Sequence, residues 1–509
     1  MKLNYKRTIL VGFAFFLISA FWQAYDAIVP LILTNHFGLD QLLSGIVMAM
    51  DNVLAVFMLP LFGALSDRIM TKLGRRTPFI LIGTIAAVVS FICLTFIDAY
   101  QLSSVIEAGL ADRYQEAAEL LKEANATLKA AGKTGDTAAI AEAKEYIDYI
   151  NKEIIGQIRE ETVSITLGNL WPIIGFIGVL LLTLISMATF RSPAVALMPD
   201  VTIKPLRSKG NAIINLMGTA GGILVLVLGM VFNTSGNKYM QYTGYVVAVC
   251  AIMITGLIVF ITTVKEKKWA DEMEEQTRAL GIEEATAATI DGNRQLSKGE
   301  LKSLFLILAS VALWYVGYNS ITSKYSVYAT NILFFDFNLT LIIAQAAAVV
   351  AYIPVGIVAS KIGRRKTILV GITMLASAFL LANFVTFSTP ELAMYPIFIL
   401  AGIGWATINV NSFPMVVELA KGGEVGKYTG YYYTASMAAQ IVAPILSGAI
   451  YKAAGLIIGG DDIEGMRYTF FAFGTLFVVL SFITMFFVKH GDAKAEKQDA
   501  LEALGGADD

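Results

Sequence analysis

Two acidic residues occur inside apolar stretches near the start of the chain, Asp26 in FWQAYDAIVP and Asp51 in MAMDNVLAVF. A charge near the middle of a lipid bilayer costs at least about 2.5 to 3.5 kcal/mol, so each acid needs a function or a structural partner. A carboxyl group can take up and release a proton as its access to water changes from one side of a membrane to the other. We therefore name Asp26 and Asp51 as candidate proton-coupling residues. The alternative is a carboxylate that forms a structural hydrogen bond between helices.

A second set of side chains has the chemistry of a carbohydrate site. A sugar presents apolar ring faces and a rim of hydroxyl groups, so its site needs aromatic rings beside amides. In ALWYVGYNSITSKYSVYATN, helical spacing puts Trp314, Tyr318 and Tyr325 on one face. The alternative for any one aromatic residue is packing or anchoring at the membrane surface. The candidate substrate-binding residues are Gln23, Asn52, Asn211, Asn215, Trp314, Tyr318, Asn319, Tyr325, Trp405, Asn409 and Gln440.

A basic motif occurs twice, about 290 residues apart, as GALSDRIMTKLGRR from Gly63 to Arg76 and GIVASKIGRRK from Gly356 to Lys366. Each copy lies between two apolar segments, so each is predicted to be a tight turn between two membrane helices on the same side of the bilayer. The repeat therefore indicates a duplicated helical bundle.

The residues of this motif can hold neighbouring helices together. Glycine allows helices to approach closely, an acid can lie near a helix N-terminus, and arginines can pair with carboxylates. The second copy has Ser360 in place of Asp67, which predicts a weaker contact in the C-terminal half. The alternative is that these charges only mark helix ends. The predicted conformational latch comprises Gly63, Asp67, Arg68, Arg75, Arg76, Arg191, Asp200, Gly356, Arg364, Arg365 and Glu418.

The elements that carry these residues are predicted to be membrane helices. Hydrophobic residues make up 56% of the 509 residues, charged residues make up 15%, and the mean hydropathy is +0.66, which is too apolar for a soluble protein of this size. A membrane helix needs about 20 mostly apolar residues. Twelve candidate cores lie at 8–33, 41–65, 77–98, 167–190, 210–232, 241–264, 302–322, 338–359, 367–387, 392–417, 428–451 and 468–488.

The predicted fold is therefore an all-α membrane protein with twelve spans in two six-helix halves. The N-terminal half covers 1–264, a polar cytoplasmic linker covers 265–300, the C-terminal half covers 301–489, and a tail covers 490–509. Positive charges are concentrated on one side, because the short outward loops hold only Lys238, Lys324, Lys452 and Arg467. By the positive-inside rule, this pattern predicts a multi-pass protein of the cell membrane with both termini in the cytoplasm.

A long insertion at 99–166 follows the third span. It is predicted to form two amphipathic helices, 105–131 and 137–160, joined by GKTGD at 132–136. An apolar stripe on the first helix can face one on the second, through Leu110, Tyr114, Ala117, Leu121, Ala124 and Leu128 against Ile140, Ala143, Ile147 and Ile154. We expect a solvated hairpin that holds no ligand and that the twelve spans can work without.

The sequence offers little to a metal or to covalent catalysis. Both cysteines, Cys93 and Cys250, lie within apolar spans, where packing is their expected role. The two histidines, His36 and His490, lie at span ends. We therefore predict no metal, no cofactor and no enzymatic activity. We also expect no nucleic acid partner, and the net charge of −2 carries little meaning for a membrane protein.

Twelve spans in two halves, with this turn after the second span, resemble the major facilitator superfamily. SDRIMTKLGRRTPFI, from Ser66 to Ile80, is similar to the sucrose and α-glucoside proton symporter branch, of the glycoside-pentoside-hexuronide type. The stretches from Phe190 to Gly218 and from Asn411 to Tyr433 are similar to connections in bacterial members. The resemblance implies a monomeric secondary transporter that carries a sugar or glycoside with a proton by alternating access within a lipid bilayer. The alternatives are an exporter of amphipathic compounds and a non-transporting membrane sensor or scaffold.

Overall fold

The computed structural model describes residues 3–134, 136–203, 206–279, 297–386, 389–417, 419 and 425–490. Within these residues the regular structure is helical and no strand occurs, apart from an isolated bridge between Thr71 and Gly74. The all-α fold class is therefore confirmed.

The helices follow the predicted order. In the first half they are α1 (Tyr5–Leu31, extended by a π-helical turn at Ile32–His36), α2 (Gln41–Arg68), α3 (Thr77–Glu107), α4 (Leu110–Thr134), α5 (Thr137–Tyr149, extended by a π-helical turn at Ile150–Ile155), α6 (Gly156–Gly168), α7 (Trp171–Val201), α8 (Arg207–Val231) and α9 (Thr243–Thr263). The remaining helices are α10 (Glu266–Ala279), α11 (Lys298–Thr322), α12 (Tyr325–Tyr328, extended by a π-helical turn at Ala329–Leu333), α13 (Phe337–Ile362), α14 (Arg364–Ala382), α15 (Met394–Val417), α16 (Val425–Ile458) and α17 (Asp462–Phe486).

Eleven of the described helices are long and apolar enough to cross a membrane, and Phe337–Tyr352 in α13 is a shorter apolar helix. Together they account for the twelve predicted spans, so the chain is a multi-pass membrane protein. The first span of each half ends in a π-helical turn, and Asn331 from one turn donates to Asn35 from the other over 2.9 Å. This contact between corresponding turns agrees with the duplication that the repeated motif predicts.

The seventh span departs from its predicted course. It breaks after Thr322 and resumes at Tyr325, and Lys324 lies in the break. The sequence analysis placed Lys324 in a short outward loop. Its side chain is buried, and Nζ donates to Ser44 Oγ over 2.7 Å and to Gln41 O over 3.2 Å. Lys324 is therefore a contact between the two halves.

The insertion forms the predicted hairpin with different bounds. Its second arm does not end near residue 160 but runs on through the π-helical turn into α6, as far as Gly168. Asp136 caps the start of α5 by accepting hydrogen bonds from Ala138 N and Ala139 N, each over 3.1 Å. As the apolar stripe predicts, Ala117 and Leu121 of α4 pack against Ile147 of the second arm.

The two halves meet where α2 packs against α16 and where α8 packs against α13. Two glycines permit the first contact, because a side chain at Gly45 would collide with the backbone of Pro444 and one at Gly448 would collide with the backbone of Gln41. Gly45 lies near the start of α2, which begins at Gln41, and Gly448 lies in the C-terminal part of α16, which also carries Lys452. The closest approach of these two helices is therefore at one end of the bundle. We call it the hairpin end, and we call the opposite end, which holds Arg76, the arginine end.

The described part of the predicted linker begins with α10, which packs on the N-terminal half. Arg7 Nη1 pairs with Glu272 Oε2 over 2.5 Å, and the Arg7 guanidinium lies 5.2 Å from the centre of the Trp269 ring. The rest of the linker up to residue 296 lies outside the described residues. A capping box formed by Ser297 and Glu300 then starts α11.

Candidate functional site

The two candidate acids, Asp26 of α1 and Asp51 of α2, lie near each other. Asp26 is exposed and Asp51 is half-buried, and their carboxyl groups are close enough to interact electrostatically. Asn52 donates its side-chain amide to Asp51 Oδ1 over 2.7 Å. The Tyr25 hydroxyl is buried without a hydrogen-bond partner beside both acids. Two accessible carboxyl groups within one electrostatic field can exchange protons with water and influence each other's charge.

Arg191 of α7 belongs to this acid cluster. Its guanidinium lies 5.5 Å from the centre of the Trp22 ring and interacts electrostatically with Asp51. The sequence analysis assigned Arg191 to the predicted latch, and the structure places it beside Trp22 of α1 and near Asp51 of α2. The charge of Asp51 is therefore coupled to a fixed cation.

One face of α13 connects this acidic region to the aromatic candidates. Gln345 Nε2 donates to Gln23 Oε1 across the halves over 2.6 Å. Seven residues further along α13, Tyr352 lies 6.4 Å from Trp405 between ring centres, and Trp405 stacks on Tyr318 at 5.9 Å. Tyr318 and Trp405 are both half-buried, so an accessible aromatic platform lies next to the helix that contacts Gln23.

Two other aromatic candidates lie inside the C-terminal half. Trp314 and Tyr325 each have 1% of their surface exposed. Trp314 packs on Tyr315, with ring centres 4.0 Å apart. Tyr325 packs on Phe398, and its hydroxyl is 2.8 Å from Thr340 Oγ1. In this conformation Trp314 and Tyr325 therefore pack within the C-terminal half.

The amide candidates have different surroundings. Asn215 of α8 is 5% exposed, and neither polar atom of its side chain has a hydrogen-bond partner. Asn319 donates to the backbone of Tyr315 over 2.9 Å, and Asn409 is 5% exposed. Asn211 and Gln440 are half-buried. An unsatisfied buried amide is costly, so Asn215 is the amide that most requires a further partner.

Known proteins share this architecture. A model described as Major Facilitator Superfamily matches residues 328–505, and one described as MFS/sugar transport protein matches residues 10–110. The inward-open xylose transporter XylE from E. coli is 13% identical, with a TM-score of 0.59, and the match covers 98% of this chain and 99% of that one. The chain has the major facilitator fold.

Two further solved structures agree. A D-xylose-proton symporter is 14% identical over 95% of this chain and 98% of its own, with a TM-score of 0.59. A bacterial homologue of the human drug peptide transporters PepT1 and PepT2 is 11% identical over 96% of this chain and 98% of its own, with a TM-score of 0.58. No curated protein sequence matches the chain. These three solved structures are of transporters and not of enzymes.

At the arginine end of this major facilitator fold, Arg76 joins three helices. It pairs with Asp67 at the end of α2 over 2.5 Å and with Asp200 near the end of α7 over 2.8 Å. Arg76 also donates to Ser66 Oγ over 2.5 Å. Burial lowers the pKa of the Arg76 guanidinium, but Asp200 and Asp67 outweigh this effect and raise it. Two carboxylates thus hold one buried cation.

Glu266, at the start of α10, extends this cluster and was missed by the sequence analysis. It is 4% exposed and accepts hydrogen bonds from the backbone of Arg75 (2.6 Å), Arg76 (2.9 Å) and Thr77 (2.8 Å). A carboxylate at the N-terminus of α3 satisfies amides that the helix cannot. The link between Glu266 and residues about 190 positions earlier carries no local signal in the sequence.

The other predicted latch residues have separate positions. Arg68 and Arg75 are exposed, whereas Gly63 packs near Ser192 of α7. In the second copy, Gly356 and Arg364 are buried, and Arg365 donates to the backbone oxygen of Phe486. Glu418 lies outside the described residues.

A histidine and an acid that the sequence analysis did not connect form a buried pair at the hairpin end. His36 Nδ1 is 2.6 Å from Asp98 Oδ1, and both side chains are fully buried. The His36 ring stacks against Tyr242 at 5.7 Å. The polar residue Asp98 within the third span was the available signal, because a buried acid needs a partner.

Proposed function

We propose that the chain is a secondary active transporter that carries a sugar or glycoside together with protons, and that it works by alternating access of its two halves. The observation that carries this proposal is the arrangement around α13. One helix face of the C-terminal half contacts Gln23, three residues from Asp26, and continues to the platform of Tyr318 and Trp405.

The chemistry of each group supports such coupling. Tyr318 and Trp405 offer apolar faces for a sugar ring, and Gln23, Gln345 and Asn215 offer amides for its hydroxyl groups. Asp26 and Asp51 hold the proton, and Arg191 stabilises the charge of Asp51 once its proton leaves. Because Gln23 and Gln345 belong to different halves, a substrate bound between them links its own binding to the relative position of the halves.

We propose that this structure is in the inward-facing conformation of the transport cycle. The hydrogen bonds from Lys324 to Gln41 and from Asn331 to Asn35 close the hairpin end, which lies outside the cell under the predicted topology. The proposal includes a location in the cell membrane, cytoplasmic termini and a monomeric transporter of the sucrose and α-glucoside symporter branch.

The test is an uptake screen with purified protein in proteoliposomes. Labelled sucrose, maltose, xylose and an amphipathic dye are each offered with and without an inwardly directed proton gradient. We expect one sugar or glycoside to accumulate only with the gradient, and to exchange without it. Accumulation of the dye alone would replace the proposal with an amphipathic exporter, and movement of no compound would favour a sensor or scaffold.

A further inference from the structure

The second arm of the hairpin contacts the opposite half of the protein. Arg159 of α6 pairs through Nη1 with Asp461 Oδ2 over 2.7 Å and also with Asp462, and both acids lie at the start of α17. The Arg159 side chain is 12% exposed. A hairpin inserted in the N-terminal half thus places a largely buried cation between two carboxylates of the C-terminal half, of which the Asp462 side chain is 4% exposed and the Asp461 side chain 36% exposed.

On its other side, the hairpin is fixed to the N-terminal half. Thr166 Oγ1 at the end of α6 donates to the backbone oxygen of Phe37 over 2.9 Å, and Gln101 Nε2 donates to Thr166 Oγ1 over 3.0 Å. Leu110 and Ile158 pack in one apolar cluster with Tyr239, which precedes α9. These buried contacts attach the hairpin to the N-terminal half.

Asp461 and Asp462, which pair with Arg159, lie where the two halves meet. Asp462 accepts a hydrogen bond from the backbone N–H of Gln41, at the start of α2. Nearby, Lys452 of α16 pairs with Asp40 over 2.6 Å, and that pair is more exposed. Opening of the hairpin end requires Arg159 to leave Asp461 and Asp462.

We propose that Arg159 is a positioning residue through which the hairpin clasps the two halves together at the hairpin end, and that this clasp controls how often that end opens. The inference rests on the proposed alternating access. It differs from the expectation that the twelve spans can work without the hairpin. Loss of one partner from a buried ion pair leaves the remaining charges uncompensated, whereas loss of an exposed pair has little effect.

The test measures the distance between the hairpin and the C-terminal half. Cys93 and Cys250 are replaced by Ser and Ala, and spin labels are attached at Glu116→Cys on α4 and Ile457→Cys on α16, both at exposed positions. Distance distributions are recorded by pulsed electron resonance in nanodiscs without substrate. In the parent protein we expect one main distance. Arg159→Gln should raise the population with longer distances about tenfold, and Arg159→Lys should restore part of the parent distribution.

Two further variants test whether the change in distance is specific to the pairing of Arg159 with its acids. Arg113→Gln is the matched control, because Arg113 pairs with Glu161 over 2.7 Å entirely within the hairpin, and its distances should match the parent. Asp461→Asn removes the charge that faces Arg159 but keeps an acceptor for the Glu464 N–H that caps α17, so it should shift the distances in a well-folded protein. Gel filtration confirms that each variant is folded.

The clasp is overturned if Arg159→Gln and Asp461→Asn both give the parent distribution, or if Arg113→Gln shifts it equally. The distances are read without substrate. A protein that moves no sugar but shows the expected shift would therefore refute the proposed substrate and leave the clasp intact.

Discussion

Gln23 of α1 and Gln345 of α13 join the two halves through a hydrogen bond of 2.6 Å between their side-chain amides. Gly222 of α8 lies beside this bond, since a side-chain carbon at that position would come within 3.4 Å of Gln345 Oε1 and 3.6 Å of Gln23 Oε1. Three helices thus approach closely around two amides. Amides in this position can bind each other or the hydroxyl groups of a substrate that lies between the halves.

We predict that Gln23→Leu and Gln345→Leu each weaken sugar binding by about 2- to 10-fold, because one neutral hydrogen bond contributes about 0.5 to 1.5 kcal/mol. The measurement is isothermal titration calorimetry of both single variants and the double variant. Because the residues are in contact, the double variant should lose less affinity than the sum of the two losses. Fully additive losses would show that the two amides act independently.

The acids are expected to separate proton coupling from sugar exchange. Asn cannot release a proton but preserves much of the shape of Asp, so Asp26→Asn or Asp51→Asn should abolish sugar-driven proton uptake while exchange of labelled sugar persists. Both fluxes are measured in the same proteoliposomes. Asp112→Asn, at an exposed hairpin position, is the control and should retain both fluxes. If both acid variants keep full proton uptake, the proton is carried elsewhere.

The arginine end offers a comparison of two adjacent arginines. Arg76→Gln leaves Asp67 and Asp200 without their shared cation, so we predict that net transport slows by about tenfold or more while sugar affinity stays within a few-fold. Arg75→Gln, whose side chain is exposed, should have a much smaller effect. Initial uptake rates and binding isotherms for the two variants provide the measurement. If Arg76→Gln and Arg75→Gln slow transport equally, the ion pairs of Arg76 have no special role and the arginines only mark the ends of the helices.

The sequence was sufficient to predict the spans because their signal is local. A run of apolar residues, a basic turn and an amphipathic stripe can each be recognised within a short window. The apolar stripe of the hairpin was therefore correctly paired. The predicted end of the second arm, at residue 160, was too early. The helix α6 continues to Gly168 through residues that lack the apolar stripe.

Pairings between distant segments could not be predicted in the same way. Two arginines follow Gly74, and nothing in GRR distinguishes Arg76, which is buried between two carboxylates, from the exposed Arg75. Arg191 was grouped with helix-end charges, although it lies beside Trp22 and Asp51. Arg159 looked like one of many hairpin charges, because its acidic partners are about 300 residues away. Such contacts depend on how helices cross, which composition and periodicity do not determine.

Lys238, in the turn between α8 and α9, is expected to make stability depend on pH. The side chain is partly buried under the hairpin, and Nζ lies 4.5 Å from the centre of the Tyr114 ring. Burial, and then the nearby positive charge of Arg159, lower the pKa of Lys238 to about 8. An unfolded chain keeps the proton up to the ordinary pKa of about 10.4.

Between these two pKa values the unfolded state binds one more proton than the folded state, so stability should rise with pH through this window, by at most about 1.4 kcal/mol per pH unit. The measurement is the apparent melting temperature of the purified protein in detergent, from about pH 7.5 to about pH 10. Lys238→Met should flatten the rise, because Met keeps the apolar contact with Tyr114 and has no proton to lose. Lys122→Met, at an exposed position on α4, should leave the rise unchanged. Parallel curves for the parent protein and Lys238→Met would mean that Lys238 titrates as an ordinary surface lysine, and that the hairpin does not seal this turn from water.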